Sequence, residues 1–306
     1  MSSENIILHG MKSFGNKLFP TLMVLLALTA GSMSPGETEA GAYPRSASSL
    51  RNIQGERNRP VRVRGGITPH HDVALGMIRR FYEHIGSAEV RRVWLFSPDH
   101  FGRARAFAAL SPADWQTPER ILEADREACS SLASLSVAGS DESLFRREHG
   151  ITVHIPLVAR YFPNASVVPV VIGAKTPDLA LIILKNAIRD LLRDGDAIIL
   201  SMDLSHYKPP EAMAAEDRKT LEVLTKLRPY GTRDIDVDAR RAAALVLMLF
   251  RDLGIKEGTV LEHSDSSRIL GRRIESGTSY ATILFAEGPH PLQTGKNGGV
   301  EELEQK

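Results

Sequence analysis

Four short polar segments carry the side chains best suited to chemistry. His70 and His71 lie in ITPHHD, His100 in SPDH, Glu148, His149 and His154 in REHGITVH, and Asp203 and His206 in MDLSH. Imidazole is the commonest metal-binding side chain, because its neutral nitrogen donates a lone pair to zinc, iron or copper. Two such ligands plus a carboxylate leave positions open for a substrate. Asp99 beside His100 and Glu148 beside His149 are candidates for orienting a ligand ring from behind. Asp203 with His206 also reads as an acid/base pair, the carboxylate holding the tautomer while the other ring nitrogen moves a proton. The sequence contains no G-x-S-x-G, phosphate loop or HExxH, so serine-nucleophile, P-loop and zincin readings have no motif to rest on.

A histidine in a turn is, taken singly, more often solvated or structural. Here the turns share a position. Val61–His70 (VRVRGGITPH), Arg91–His100 (RRVWLFSPDH) and Ala197–His206 (AIILSMDLSH) are each β-type runs that end in a polar turn carrying histidine. In open α/β sheets ligands gather beyond the carboxyl ends of the strands, so residues distant in sequence meet there. The intervening segments fit that architecture. Helical periodicity marks Ala74–Ile85, Pro118–Leu135, Ile155–Phe162, Asp178–Arg193, Pro210–Lys226 and Val237–Leu253. Ser166–Ile172 reads as a buried strand whose proline suggests an edge or a bulge, and Ser279–Ala286 as the closing strand. Strands alternating with helices predict a layered α/β domain.

Composition narrows the function classes. Hydrophobic residues make up 42% and charged residues 25%, which is ordinary globular usage. The 38 basic and 37 acidic residues nearly cancel, with no long like-charge block, which argues against nucleic-acid binding. A single cysteine, Cys129, excludes a disulfide framework or thiolate cluster within one chain. Lys12 and Lys17 precede an apolar run, Leu18–Ala30, and then small residues. That is the layout of a secretory signal or a marginal membrane anchor over residues 1–34, and predicts an exported, extracytoplasmic domain whose N-terminal segment contacts membrane. Residues 35–60 read as a linker, 61–287 as one α/β domain and 288–306 as a polar tail.

The motif set resembles the Memo family, which includes the prokaryotic AmmeMemoRadiSam system protein B. ITPHHD is similar to that family's PHAGY segment, LFSPDHF to GPSHH, REHGITVHIPLV to EHSIE-x-x-LPFL and SMDLSHY to SSDFSHY, in family order and across about Gly66–Ala286. The resemblance implies a fold similar to class III extradiol dioxygenases: one α/β domain with a central, mostly parallel sheet flanked by helices. It implies that His70 and His100 bind a metal, that His206 is the acid/base histidine, and that Glu148, His149 and Asp203 line the same cleft. His71, Asp72 and Val73 replace the Ala-Gly-Tyr of the family, and Phe101 replaces a histidine. The cysteine that often serves as third ligand is missing from DIDVDARRAAALVLML, where Asp238 aligns best and Asp236 is the alternative. A two-histidine, one-carboxylate set favours Fe(II), with copper or zinc as alternatives. The implied activity is metal-dependent redox or dioxygenase-like chemistry on a small molecule. The competing function is a regulatory module that binds a peptide or protein partner in the same cleft.

Overall fold

The computed structural model describes residues 62–86 and 89–287. The signal or anchor segment, the linker and the tail lie outside the described residues, among which no helix is long and apolar enough to cross a membrane.

In chain order the strands are β1 (Arg62–Thr68), β2 (Arg92–Pro98), β3 (Ala108–Leu110), β4 (Trp115–Gln116), β5 (Ile121–Leu122), β6 (Ala138–Ser140), β7 (Ser166–Ile172), β8 (Asp196–Ser201), β9 (His206–Lys208), β10 (Gly258–Asp265) and β11 (Gly277–Glu287). The helices are α1 (Leu75–Ile85), α2 (Arg126–Ala133), α3 (Glu142–Phe145), α4 (His149–Thr152), α5 (Ile155–Tyr161), α6 (Asp178–Leu191), α7 (Pro210–Thr225), α8 (Arg240–Asp252) and α9 (Ser266–Leu270). Single 3-10 segments cover Asp72–Ala74 and Pro229–Asp234.

The main sheet runs β10-β11-β1-β8-β2-β7-β3-β6, with β9 added alongside β11. Its centre, β1-β8-β2-β7, is parallel throughout. Antiparallel pairing enters where β11 meets β1, β10 and β9, and again where β3 meets β7. The architecture is therefore α/β, with a parallel centre and helices on both faces. Strand β2 shows why: every one of its residues is buried. Trp94 and Phe96 pack into one core with Leu184, Leu247 and Phe250, while Val93 and Leu95 pack into the other with Phe81, Tyr82 and Val158. This two-residue alternation between two apolar layers makes a covered strand read as an unbroken hydrophobic run.

Three sequence expectations change. The helix expected over Pro118–Leu135 is helical only in α2, because Thr117 and Arg120 bond to each other and close the β4–β5 hairpin. The Asp125 carboxylate then caps α2 by accepting from the Ala128 N–H. Pro169 lies neither at an edge nor in a bulge: β7 sits between β2 and β3, with Pro169 opposite Leu95. It falls just past the ladder with β3, which covers only Val170, Val171 and Ile172, so no bond to β3 is lost there. The helix expected from Val237 starts at Arg240, which leaves Asp238 in the turn before it. Strand β10, which lies on the outer side of β11, was not anticipated.

Candidate metal centre

The carboxyl ends of β1, β2 and β8 lie side by side at the centre of the sheet, and each ends in a device that turns its next residues toward a common point. After β1, Pro69 has no N–H to give, and the His70 N–H is donated to Asp203 Oδ1 at 3.1 Å. After β2, the Asp99 carboxylate accepts from the N–H groups of Phe101 (3.2 Å) and Ala104 (2.7 Å), forming a tight turn that presents His100. Asp203 follows β8 and exchanges backbone contacts with the turn before α8: its N–H donates to Asp238 Oδ1 (3.2 Å), and its carbonyl accepts from the Asp238 N–H (3.4 Å).

The result is a triangle of three donor atoms. His70 Nε2 lies 3.1 Å from His100 Nε2 and 3.0 Å from Asp238 Oδ2, and His100 Nε2 lies 3.4 Å from the same oxygen. His70 and His100 each have Nδ1 occupied from behind, by Ser201 Oγ at 2.8 Å and by Glu148 Oε1 at 2.5 Å respectively. An Nδ1–H donated to those oxygens leaves both Nε2 lone pairs aimed at each other. Two lone pairs at that distance repel unless a cation stands between them. Among the described residues, Asp238 Oδ2 is buried with no hydrogen-bond partner. An ion bound at about 2.1 Å gives ligand–ligand edges of about 3.0 Å at right angles and about 3.4 Å at tetrahedral angles, the range these three distances span. The donor set and its orientation fit a metal ion.

Electrostatics point the same way. Burial disfavours charge on His70, but Asp203 and Asp238 outweigh it and raise its pKa. Burial likewise opposes charge on His100, and the carboxylates of Asp238 and Glu148 overcome it, lifting its pKa to about 9. Burial acts against ionisation of Asp238, yet the two imidazoles hold its pKa below the ordinary carboxylate value. Asp203 is raised, first by burial and then by Asp238 beside it. The cluster thus draws positive charge into a buried position, which protons supply when no metal does.

The remaining candidates divide. The His149 ring, half exposed, lies 4.0 Å from the His100 ring and 5.0 Å from that of His70, so it borders the triangle. His71 is exposed; its Nδ1 accepts from the Val73 N–H and caps the 3-10 turn that leads into α1. Glu148 is fully buried behind the ligands: besides the His100 ring it accepts from the N–H groups of His100 and Gly150. His154, expected in the cleft, is instead fully buried against the Tyr82 ring. Asp236 is drawn away from the triangle by Lys208, 2.9 Å from its carboxylate. The expected Asp203–His206 pair also takes another form. Asp203 serves His70, while the His206 Nδ1 lies 2.7 Å from the Leu204 carbonyl, which fixes the Nδ1–H tautomer and leaves Nε2 free.

One supporting network had no signature in the sequence. Asp217, buried in α7, accepts from Ser205 Oγ and Ser279 Oγ, both at 2.9 Å, and from His263 Nε2 at 2.8 Å. Ser205 sits between Asp203 and His206, so this carboxylate anchors the segment that carries both. Its three partners come from three separate stretches of chain, and no spacing rule connects them.

Fold and site together define an α/β protein with a two-histidine, one-aspartate cluster at the strand ends that could hold a metal ion. The Memo-like protein family model matches residues 36–284, and the chain belongs to that family. It is 28% identical over 201 residues to a MEMO1 family protein of Caldivirga maquilingensis, covering 62% of this chain and 71% of that one. It is 25% identical over 235 residues to one of Methanothermobacter thermautotrophicus, covering 72% and 84%. Among solved structures it is similar to an uncharacterized protein from Escherichia coli K12, with a TM-score of 0.46, 12% identity, and coverage of 73% of this chain and 99% of that one.

Proposed function

We propose that this protein is a metal-dependent oxidoreductase, dioxygenase-like in its site, which binds Fe(II) through His70, His100 and Asp238 and acts on a small molecule. The observation that carries the reading is the convergence of two correctly oriented imidazoles and a donorless buried carboxylate oxygen on one point. The absence of a thiolate makes the set harder than a cysteine-containing one and favours Fe(II) over Cu(I). When bound, such an ion supplies Lewis acidity and open positions for substrate and oxygen. The protein's own groups do the rest. Ser201 and Glu148 hold the ligand tautomers, and Glu148 supplies negative charge behind His100. Asp203 fixes the backbone of His70 and Asp238. His206, half-buried three residues after Asp203, whose carboxylate it influences, and with Nε2 unengaged among the described residues, takes a proton from a bound substrate hydroxyl or returns it.

Anaerobic Fe(II) titration tests this directly. One ion per chain is expected for the wild type and for Asp236→Ala, with at least a tenfold loss of affinity in Asp238→Ala and His100→Ala. Unchanged affinity in Asp238→Ala would overturn the ligand assignment. Turnover of a catechol panel by the iron-loaded protein tests the enzyme reading separately: ring opening lost in His206→Ala supports it. Capture of a peptide in the cleft, undiminished by metal removal and without turnover of any diol, would replace it with the regulatory reading.

A further inference from the structure

A cleft opens along the flank of α8, and none of the three metal-site residues lines it. Its walls are α6, the 3-10 segment Pro229–Asp234 and α8, and it holds about 290 Å³ including its open mouth. The two helices run side by side in the same direction, since Asp178 meets Arg241 near their starts and Lys185 meets Asp252 further along, both at 2.7 Å. The lining therefore has two ends. At the helix starts lie Asp178 and Arg241, joined by Arg233 from the 3-10 segment. One to two turns on, Leu181 and Ile182 face Met248, with Tyr230 beside Arg233, whose guanidinium is 6.0 Å from the centre of the ring. Ile182 and Tyr230 are 41% and 65% exposed, so apolar surface reaches the mouth. At the polar end two guanidinium charges face one carboxylate, which leaves an excess of one positive charge among the lining residues. Each arginine reaches Asp178 through one terminal nitrogen, and Arg241 Nε is buried with no hydrogen-bond partner among the described residues.

We propose that this cleft binds a small carboxylic acid with an apolar body, its carboxylate on Arg241 and Arg233 and its hydrocarbon laid between Ile182, Met248 and Tyr230. Charge and lining choose this occupant together. A buried guanidinium N–H without an acceptor is unfavourable, and a carboxylate is the acceptor whose two oxygens match the planar fork of an arginine. The excess positive charge selects an anion over a neutral molecule. The apolar stretch beyond the arginines selects an anion with a hydrocarbon part over a bare inorganic one, in keeping with ligand sites whose lining is mostly apolar and whose few polar groups fix orientation. The inference is independent of whether the metal site is catalytic.

Isothermal titration of the full chain with benzoate, at neutral pH and without added metal, tests the proposal. One benzoate per chain is expected, with benzamide, its neutral isostere, and acetate, which lacks the apolar body, each binding at least about tenfold more weakly. Arg241→Gln is expected to lower benzoate affinity about tenfold. Asp178→Asn removes the carboxylate that engages both arginines and is expected to strengthen benzoate binding several-fold, a gain that a merely structural ion pair would not produce. His100→Ala is expected to leave the affinity unchanged, and circular dichroism checks that all three variants fold. No saturable benzoate binding, acetate as tight as benzoate, a loss in His100→Ala that puts the anion at the histidine cluster, or weaker binding in folded Asp178→Asn protein would overturn the proposal. A dimer in sedimentation that Tyr230→Ala dissociates, with no benzoate bound, would give the cleft to a second copy of the chain instead.

Discussion

Glu148 is the residue on which the orientation of the site most depends, because its carboxylate accepts from the ring, the backbone of His100 and the Gly150 N–H at once. Glu148→Gln keeps an acceptor but removes the charge, and is expected to weaken Fe(II) binding by about 10–100-fold, the usual effect of removing an outer-shell partner. Isothermal titration of the variant under anaerobic conditions checks it. His154 is a separate case. Burial, with the nearby His70, pushes its pKa down from 6.5 to about 3. The unfolded chain therefore binds a proton that the folded protein refuses. The stability this represents is fully present above pH 6.5 and is lost as the pH falls toward 3. Within that window the slope per proton is about 1.4 kcal/mol per pH unit. Urea unfolding between pH 4 and 6 is expected to show a slope shallower by about that amount in His154→Leu than in the wild type.

At the scale of elements, the approach of α4 to β2 is what sets Glu148 and His149 in place. A methyl group at Gly150 would stand 2.2 Å from Ser97 Oγ, 3.2 Å from Ser97 Cβ and 3.3 Å from Glu148 Oε1. Gly150→Ala is therefore expected to cost about 1–3 kcal/mol, as overpacking does, and to lower Fe(II) affinity along with stability. Adding Ser97→Ala removes the hydroxyl in the way and is expected to return part of both, which a double-mutant cycle measures. The strand ends were readable for a related reason. β2 is covered on both faces, so RRVWLF announces itself, and the polar turn after it has to face the cleft. The α2 segment misled because Ile121 and Leu122 fall at helical spacing with α2, while the local bonds of Thr117 impose a hairpin that periodicity does not register.

At the scale of the molecule, the parallel centre of the sheet and the residues at its carboxyl edge were legible from hydrophobic runs broken by histidine. Of the two aspartates offered before α8, Asp238 is the one the fold brings to the two imidazoles, while Asp236 meets Lys208, a contact 28 residues distant that no local pattern announces. Ser201, Asp217 and the depth of His154 depend on which strands become neighbours, and that is fixed by the whole packing rather than by any window of sequence. The same packing brings residues as far apart as His70 and Asp238 to within 3.0 Å of each other, and the functional reading rests on that meeting point. Anomalous diffraction at the iron edge, from crystals soaked in Fe(II) without oxygen, examines it most directly. One peak is expected about 2.1 Å from His70 Nε2, His100 Nε2 and Asp238 Oδ2, a normal metal–ligand distance. A peak held by other residues, or no peak at saturating Fe(II), would contradict the assignment.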